Sequence, residues 1–428
     1  MKNDFLSTLF VGVDVSSKDN VFCALDYSGT VVFHSQKPNN QPGSNNIVAL
    51  ISNAMNELKL KFLVIALEAT SFYSTHIANF LSCHEDLLPY GVLVYILNPK
   101  TTSSYRKSFV DMDKNDFLDA YVIADFARCG RITSSPWKGS QFLALQRLTR
   151  HRLHLIDSLT CEKNYVLSNI YLKFSELTRL KKEDKPFSNM FGASSKAVLS
   201  ELSLDDIAYS SLEDLSSFLV DKGKNRFDDP SLNAKILKKA ARDSYRLDKV
   251  LYEPINVSIA SSFNVIKTLE KEIKAVDSGI EKAFLGLNPT EYKVLLSIPG
   301  IGPVYASGIL SEIGTISNFE NNDKLAKYAG ITWRETQSGS FSSDNTRMTK
   351  TGNKYLRYYL IEATSSVIRH VPTFNSYYQK KYDESSTHQH KRALALTTRK
   401  FIRMIFGKLK QKSTLFRRKS RIEQFNPF

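Results

Sequence analysis

The sequence predicts an α/β domain, then a helical middle region, then a mainly α C-terminal domain. Three observations lead there. Short β-type apolar runs alternate with helix-like stretches over the first 130 residues. An a/d rhythm occupies residues 259–280, and after about residue 290 apolar helical runs are punctuated by Pro and Gly. The 428 residues hold two or three domains of roughly 100–200 residues each. Expected divisions are 1–135, 136–290, 291–385 and 386–428.

Within the first domain, LFVGVDV (9–15), VFCALDY (21–27) and TVVFHS (30–35) read as strands, with Gly12 and Tyr27-Ser28-Gly29 as punctuation. Their tight spacing predicts an antiparallel meander. A helix over about 45–58, a buried strand FLVIALEA (62–69), a helix over about 72–82, a strand VLVYILN (92–98) and a helix over about 116–128 follow. This is the order of an RNase H-like fold, though other α/β layouts share it.

The middle region places Ile259, Ile266, Leu269, Ile273, Val276 and Ile280 on an a/d seam with Ser262 as its polar member. Such a seam suits a coiled coil joining two copies, or equally a helix of a monomeric bundle. A second helical stretch spans roughly 141–173. Between the two, about 180–245 is polar, lacks clean periodicity and reads as an insertion or small subdomain. Farther on, LLSIPGIGPVYASGILSEIG (295–314) places Gly300 and Gly302 in a helix-hairpin-helix-like turn. Glycines there let a phosphate approach backbone N–H groups, but a plain packing corner uses the same residues.

Net charge is +15, and its distribution is uneven. From Lys391 onward twelve Lys or Arg stand against one acid, Glu423, so the rest of the chain is nearly balanced. A basic end on such a body points to a polyanion, nucleic acid before membrane, with a solvated tail as the bland alternative. Arg399, Lys400 and Arg403, interleaved with Phe401, Phe406 and Phe416, suit contact with nucleic acid, the rings stacking on bases. A hydrophobic share of 42% argues against wholesale disorder. Four scattered cysteines without a CxxC argue against a zinc finger or a disulfide framework and fit a reducing cytoplasm. No signal peptide is expected, since Asp14 interrupts the first apolar run, and no stretch approaches the ~18 apolar residues of a membrane span.

Four acids stand out. Asp14 lies among Val11, Val13 and Val15, and strict alternation puts it on the opposite face. Glu68 ends a buried apolar strand, where an acid is costly unless paired or metal-bound. Asp116 and Asp119 share a helix face at i,i+3, and Ala120, Ile123, Ala124 and Ala127 let that helix lie close to a sheet. Each alone has a bland reading as a strand-end acid or helix cap. Asp111, Asp113 and Asp125 compete and are expected to be solvated. As a set the four are suited to holding Mg²⁺ or Mn²⁺, hard cations that take oxygen ligands.

The stretches FVGVDVSSK, LEAT and KNDFLDAYVIADFAR resemble the N-terminal domain of DEDD-class insertion-sequence transposases, relatives of Piv-type DNA invertases and RuvC-like nucleases. The SIPGIGP turn and residues 326–364 resemble the same family's C-terminal domain. The resemblance implies a RuvC-like fold and a metal site at Asp14, Glu68, Asp116 and Asp119. It further implies a serine nucleophile at Ser338, in Gln337-Ser338-Gly339, although Ser340, Ser342 and Ser343 follow at once. Arg347, Lys350, Lys354 and Arg357 lie close behind, suited to phosphate contact. Donor and target DNA, a structured guide (bridge) RNA, and action in the bacterial cytoplasm, associated with the nucleoid, are implied as well. A homo-oligomer, dimer or tetramer, is expected from the seam. Two readings compete with a serine-using transposase: a RuvC-like structure-selective nuclease with water as nucleophile, and a non-catalytic nucleic-acid binder.

Overall fold

A central strand, β1 (Thr8–Val15), is buried along nearly its whole length in the computed structural model of the chain. The structure describes residues 5–109, 115–132, 136–224, 226–287, 290–333, 337–338, 341–342 and 348–424; for 182, 337, 338, 341, 342 and 412–424 it describes the backbone alone. The chain divides into two compact units, Met1–Thr149 with Ile280–Phe428, and Arg150–Gly279.

In the first unit, β1 pairs antiparallel with β2 (Asp19–Leu25), which pairs antiparallel with β3 (Val31–Pro38). Asp26 ends β2 by accepting from the Thr30 N–H at 2.9 Å, so the strand stops short of the expected Tyr27. Helix α1 (Gln41–Glu57) starts earlier than its apolar pattern, capped by Asn40 with Pro42 in its first turn. Strand β4 (Phe62–Glu68), helix α2 (Tyr73–Cys83) and strand β5 (Leu93–Leu97) follow. Both β1–β4 and β4–β5 are parallel, and the order β3-β2-β1-β4-β5 is the RNase H-like one.

The pleat sorts β1 cleanly. Leu9, Val11, Val13 and Val15 join the core built with α1 and α2, including Ile47, Ile51, Ile77 and Leu81. Phe10 and Gly12 face the other side. There, beyond a short helix α3 (Pro99–Arg106), α4 (Asp116–Arg128) covers the sheet with Ala120, Ile123, Ala124 and Ala127. A Cβ on Gly12 would sit 2.1 Å from the Ala120 carbonyl oxygen and 2.3 Å from the Ala124 nitrogen. The glycine therefore sets how closely α4 lies on β1.

Helix α5 (Ser140–Lys173) leads into the second unit, whose helices are α6 (Ser175–Arg179), α7 (Ala193–Glu201), α8 (Leu204–Tyr209), α9 (Leu212–Gly223), α10 (Pro230–Asp243) and most of α11 (Lys249–Leu287). The polar stretch 180–245 is thus helical, with its own core of Val198, Ile207, Leu219, Leu237 and others. Its periodicity is present in short helices: Ala234, Leu237 and Ala241 recur at i, i+3, i+7 on α10. Ile259 and Ile266 of the predicted seam join Val166 and Ile170 of α5 in that same core. Ion pairs Arg152–Asp277 and Lys163–Glu270 give the two helices an antiparallel sense. Ile259, Ser262, Ile266 and Ile273 of the seam are buried within one chain, as in the bundle reading, while Leu269 and Val276 are half-buried.

The first unit resumes with α12 (Thr290–Leu296), α13 (Pro303–Ile313) and α14 (Asn322–Ala329), a two-residue-per-strand hairpin β6 (Gln337–Ser338) and β7 (Phe341–Ser342), then α15 (Lys354–His370), α16 (Pro372–Asp383) and α17 (Gln389–Gln424). Helix α17 corrects the reading of a basic tail with free aromatics. Phe401, Ile402, Ile405, Phe406 and Leu409 are buried core residues, so Phe401 and Phe406 are not available for stacking on bases. No helix among the described residues is long and apolar enough to cross a membrane.

Because the Gly12 contact is backbone against backbone, no flexible side chain can yield. Gly12→Ala is expected to lower unfolding stability by about 1–3 kcal/mol or more, an overpacking cost readable by urea denaturation.

Candidate metal centre

Asp14 is the last residue but one of β1, on the face covered by α4. Asn115 caps α4 by accepting from the Leu118 N–H at 2.7 Å, which starts the helix at Asp116 and places Asp116 and Asp119 in its first turn. Carboxylates there interact favourably with the helix dipole. With α4 seated on Gly12, Asp14, Asp116 and Asp119 each offer an oxygen, and these oxygens lie within 4.8 Å of one another. Glu68, at the end of the neighbouring β4, stands beside this trio, close enough for its charge to act on Asp14.

The cluster is electrostatically costly. Burial, then the charges of Asp119, Glu68 and Asp116, push the Asp14 carboxyl from its ordinary 3.8 up to about 6. A converging set of oxygen donors, Asp14 and Asp119 half-buried and Asp116 exposed, held against its own repulsion suits a hard divalent cation, which removes that penalty.

Three side chains of α3 reach the acids of this region. Thr102 Oγ1 donates to Glu68 Oε2 at 2.8 Å, Tyr105 Oη donates to Asp125 Oδ2 at 2.6 Å, and Arg106 Nη1 pairs with Asp119 Oδ1. This helix and its roles were not foreseen from its Thr/Ser-rich sequence, although Asn98 capping Lys100 N–H at 2.9 Å, with Pro99 next, is a readable start signal. Asp125 corrects an expectation: it is 6% exposed rather than solvated, and Arg128 donates to it through Nε at 2.9 Å and Nη2 at 2.6 Å. Asp111 and Asp113 lie outside the described residues.

The C-terminal candidates divide. Ser338 is on the first strand of the β6–β7 hairpin, paired across it with Phe341, and the ribbon is rooted in the Trp333–Met348 bridge and the Thr349 N–H to Thr332 carbonyl bond of 2.8 Å. Its side chain, Gly339, Ser340, Ser343 and Arg347 are outside the described residues. Lys350 and Lys354 are exposed. Arg357 is turned inward, donating to the carbonyls of Ala329 at 3.1 Å and Lys350 at 2.9 Å. Arg399 pairs with Asp323, and Lys400 lies 4.5 Å from the Tyr377 ring centroid, while Arg403 is exposed. Gly300, with φ of 90°, has Ser366 and His370 where a Cβ would go, which gives it a packing role; Gly302 faces open space.

Two residues, Asn353 and Glu312, organise this domain. Asn353 caps α15 and donates through Nδ2 to Glu312 Oε2 at 2.7 Å, and Glu312 is only 5% exposed. A cavity of about 720 Å³ beside Glu312, lined also by Trp137, Lys138, Phe142, Phe319 and Tyr328, contains none of the four acids.

Known proteins resemble the chain at both ends. A transposase family model, DEDD_Tnp_IS110, matches residues 11–174, and one described as transposase IS116/IS110/IS902 family matches 292–379. A Streptomyces clavuligerus protein, the insertion element IS116 uncharacterized 44.8 kDa protein, is 22% identical over 94% of this chain and 95% of its own length. Among solved structures, Thermus thermophilus RuvC is similar at 13% identity and TM-score 0.23, covering 30% of this chain and 99% of that one. The same enzyme in complex with a Holliday junction substrate is similar at 12% identity, with the same TM-score and coverage. The fold assignment rests on the strand order.

Because the Asp14 pKa is raised in the folded protein, the native state keeps a proton that the unfolded chain releases between about pH 4 and 6, and stability falls as the pH rises across that window. Without divalent ions, Asp14→Asn should therefore raise the melting temperature at pH 7.5 and change it little at pH 4. Equal shifts at both pH values would contradict the electrostatic cause.

Proposed function

Because this chain belongs to the IS116/IS110/IS902 transposase family, we propose that it cuts and rejoins DNA with Ser338 as nucleophile and with Asp14, Glu68, Asp116 and Asp119 around a divalent ion, Mg²⁺ or Mn²⁺. The observation that carries the acidic half is the convergence of Asp14, Asp116 and Asp119 oxygens within 4.8 Å. The serine half rests on the resemblance of residues 326–364, with the Ser338 backbone paired to Phe341 in the ribbon.

Serine is a weak nucleophile until its proton is removed. In the proposed step Ser338 Oγ gives up that proton and bonds to the scissile phosphorus, while the bond from phosphorus to the leaving DNA oxygen breaks and that oxygen takes up a proton. A hydroxyl of the second DNA end then attacks the phosphoserine, the P–Oγ bond breaks, and the serine is restored. Each phosphoester broken is replaced by another, so rejoining needs no external energy source. A divalent ion would supply charge neutralisation at the phosphoryl oxygens.

The proposed division of labour is an acidic domain over 1–135, a helical middle over 136–290, a serine-bearing domain over 291–385 and a basic end over 386–428. Lys350, Lys354 and Arg403, all exposed, and Gly302 at the start of α13 are the residues best suited to phosphate contact. A structured guide RNA belongs to this proposal through the family resemblance, and a homo-oligomer, dimer or tetramer, is proposed with it. So do the bacterial cytoplasm and nucleoid as its place of action.

Incubation with substrate DNA and Mg²⁺ should give a covalent protein–DNA adduct that Ser338→Ala abolishes and that Asp14→Ala reduces by at least about 100-fold. Cleavage that survives Ser338→Ala would instead identify a water-using nuclease. Normal recombination by Asp14→Ala would remove the acidic site from the mechanism.

A further inference from the structure

We propose that Arg106 is a phosphate contact gated by the divalent ion: it pairs with Asp119 while the acidic site is free of cation, and engages the scissile phosphate once the ion is bound. This rests on the functional reading of the acidic site above and assigns that site a residue outside the four acids.

Among the described residues, Arg106 is the cation that forms an ion pair with one of the four acids. It ends α3, whose other two reaching side chains, Thr102 and Tyr105, are uncharged single-hydroxyl donors fixed on Glu68 and Asp125. Those two anchor the helix. Arg106 is different in kind: a long side chain whose planar fork carries five donors, of which the recorded contact with Asp119 uses Nη1. Side-chain exposures of 25% for Arg106 and 24% for Asp119 leave the pair reachable from solvent, and Asp116 beside it is exposed.

Charge explains the gating. Four carboxylates and one guanidinium leave an excess of negative charge, and pairing with Asp119 is where the guanidinium relieves it most. A divalent ion on Asp14, Asp116 and Asp119 takes over that role and repels the guanidinium at the same short range. A phosphodiester brought to the ion adds a negative charge with two free oxygens, the geometry an arginine fork binds in bidentate fashion. Arg106 then has a better partner than a carboxylate shared with a cation.

The test is calorimetric titration of the full chain with Mn²⁺ in the absence of DNA, beside cleavage assays on the same preparations. Arg106→Ala should bind Mn²⁺ more tightly, by about fivefold or more, because the competing cation is gone. It should also cleave about 100-fold more slowly. Arg106→Lys, which keeps the charge without the fork, should return Mn²⁺ affinity toward that of the unaltered protein while cleavage stays low. Opposite movement of the two readouts is what mere structural damage cannot produce. Weaker Mn²⁺ binding by Arg106→Ala, or unimpaired cleavage, would overturn the gate and leave the acidic site standing. No Mn²⁺ binding by the unaltered protein, or binding unchanged in Asp119→Asn, would overturn the acidic-site reading itself.

Discussion

Contact between Gly12 and the backbone of α4 is the constraint on which the acidic site depends. Asp14 belongs to a central strand, and Asp116 and Asp119 to a helix reached about 100 residues later. Their oxygens converge only if that helix lies almost against the sheet. A glycine on the strand and Ala120 and Ala124 on the helix make the approach possible, and any larger side chain at residue 12 would meet main-chain atoms. Cores normally tolerate small volume changes by moving side chains; here there are none to move.

Bringing acids together opposes folding, and the surrounding structure is arranged to bear it. Burial and three neighbouring charges raise the Asp14 pKa, while α3 holds Glu68 by a hydroxyl and Asp119 by a guanidinium. Asp125, six residues beyond Asp119 on the same helix, shows the contrasting solution: a buried acid neutralised by Arg128 and hydrogen-bonded by Tyr105, and so part of the scaffold. The difference between the two environments separates a crowded acid cluster from a buried ion pair.

Charge in the C-terminal part serves two ends that composition cannot separate. Arg357 ties two carbonyls, Arg399 pairs with Asp323, and Lys400 lies over aromatic rings, whereas Lys350, Lys354 and Arg403 face solvent. Helix α17 is basic on the outside because its other face is a stripe of Phe401, Ile402, Ile405 and Leu409 in the core. The long helices α5 and α11 satisfy their apolar faces against each other and the short helices between them, so the heptad rhythm of α11 reports burial without naming the partner.

Local order was legible in the sequence because it depends on local periodicity. The five strands, the helices flanking them, the alternation that sets Asp14 apart from its valines, and the i,i+3 pairing of Asp116 with Asp119 follow from periods of 2 and 3.6. The placement of Glu68, half-buried at the end of a buried strand, was legible from the apolar run before it. What faces what was not. That α3 exists and reaches three acids, that Asp125 is sealed by Arg128, that the α11 seam packs within its own chain, and that Phe401 and Phe406 are core rather than stacking platforms were decided by tertiary structure. A side chain's period reveals that it has a buried face or a costly charge. Only the fold supplies the neighbour, often a hundred residues away, that determines what the face packs on or what neutralises the charge.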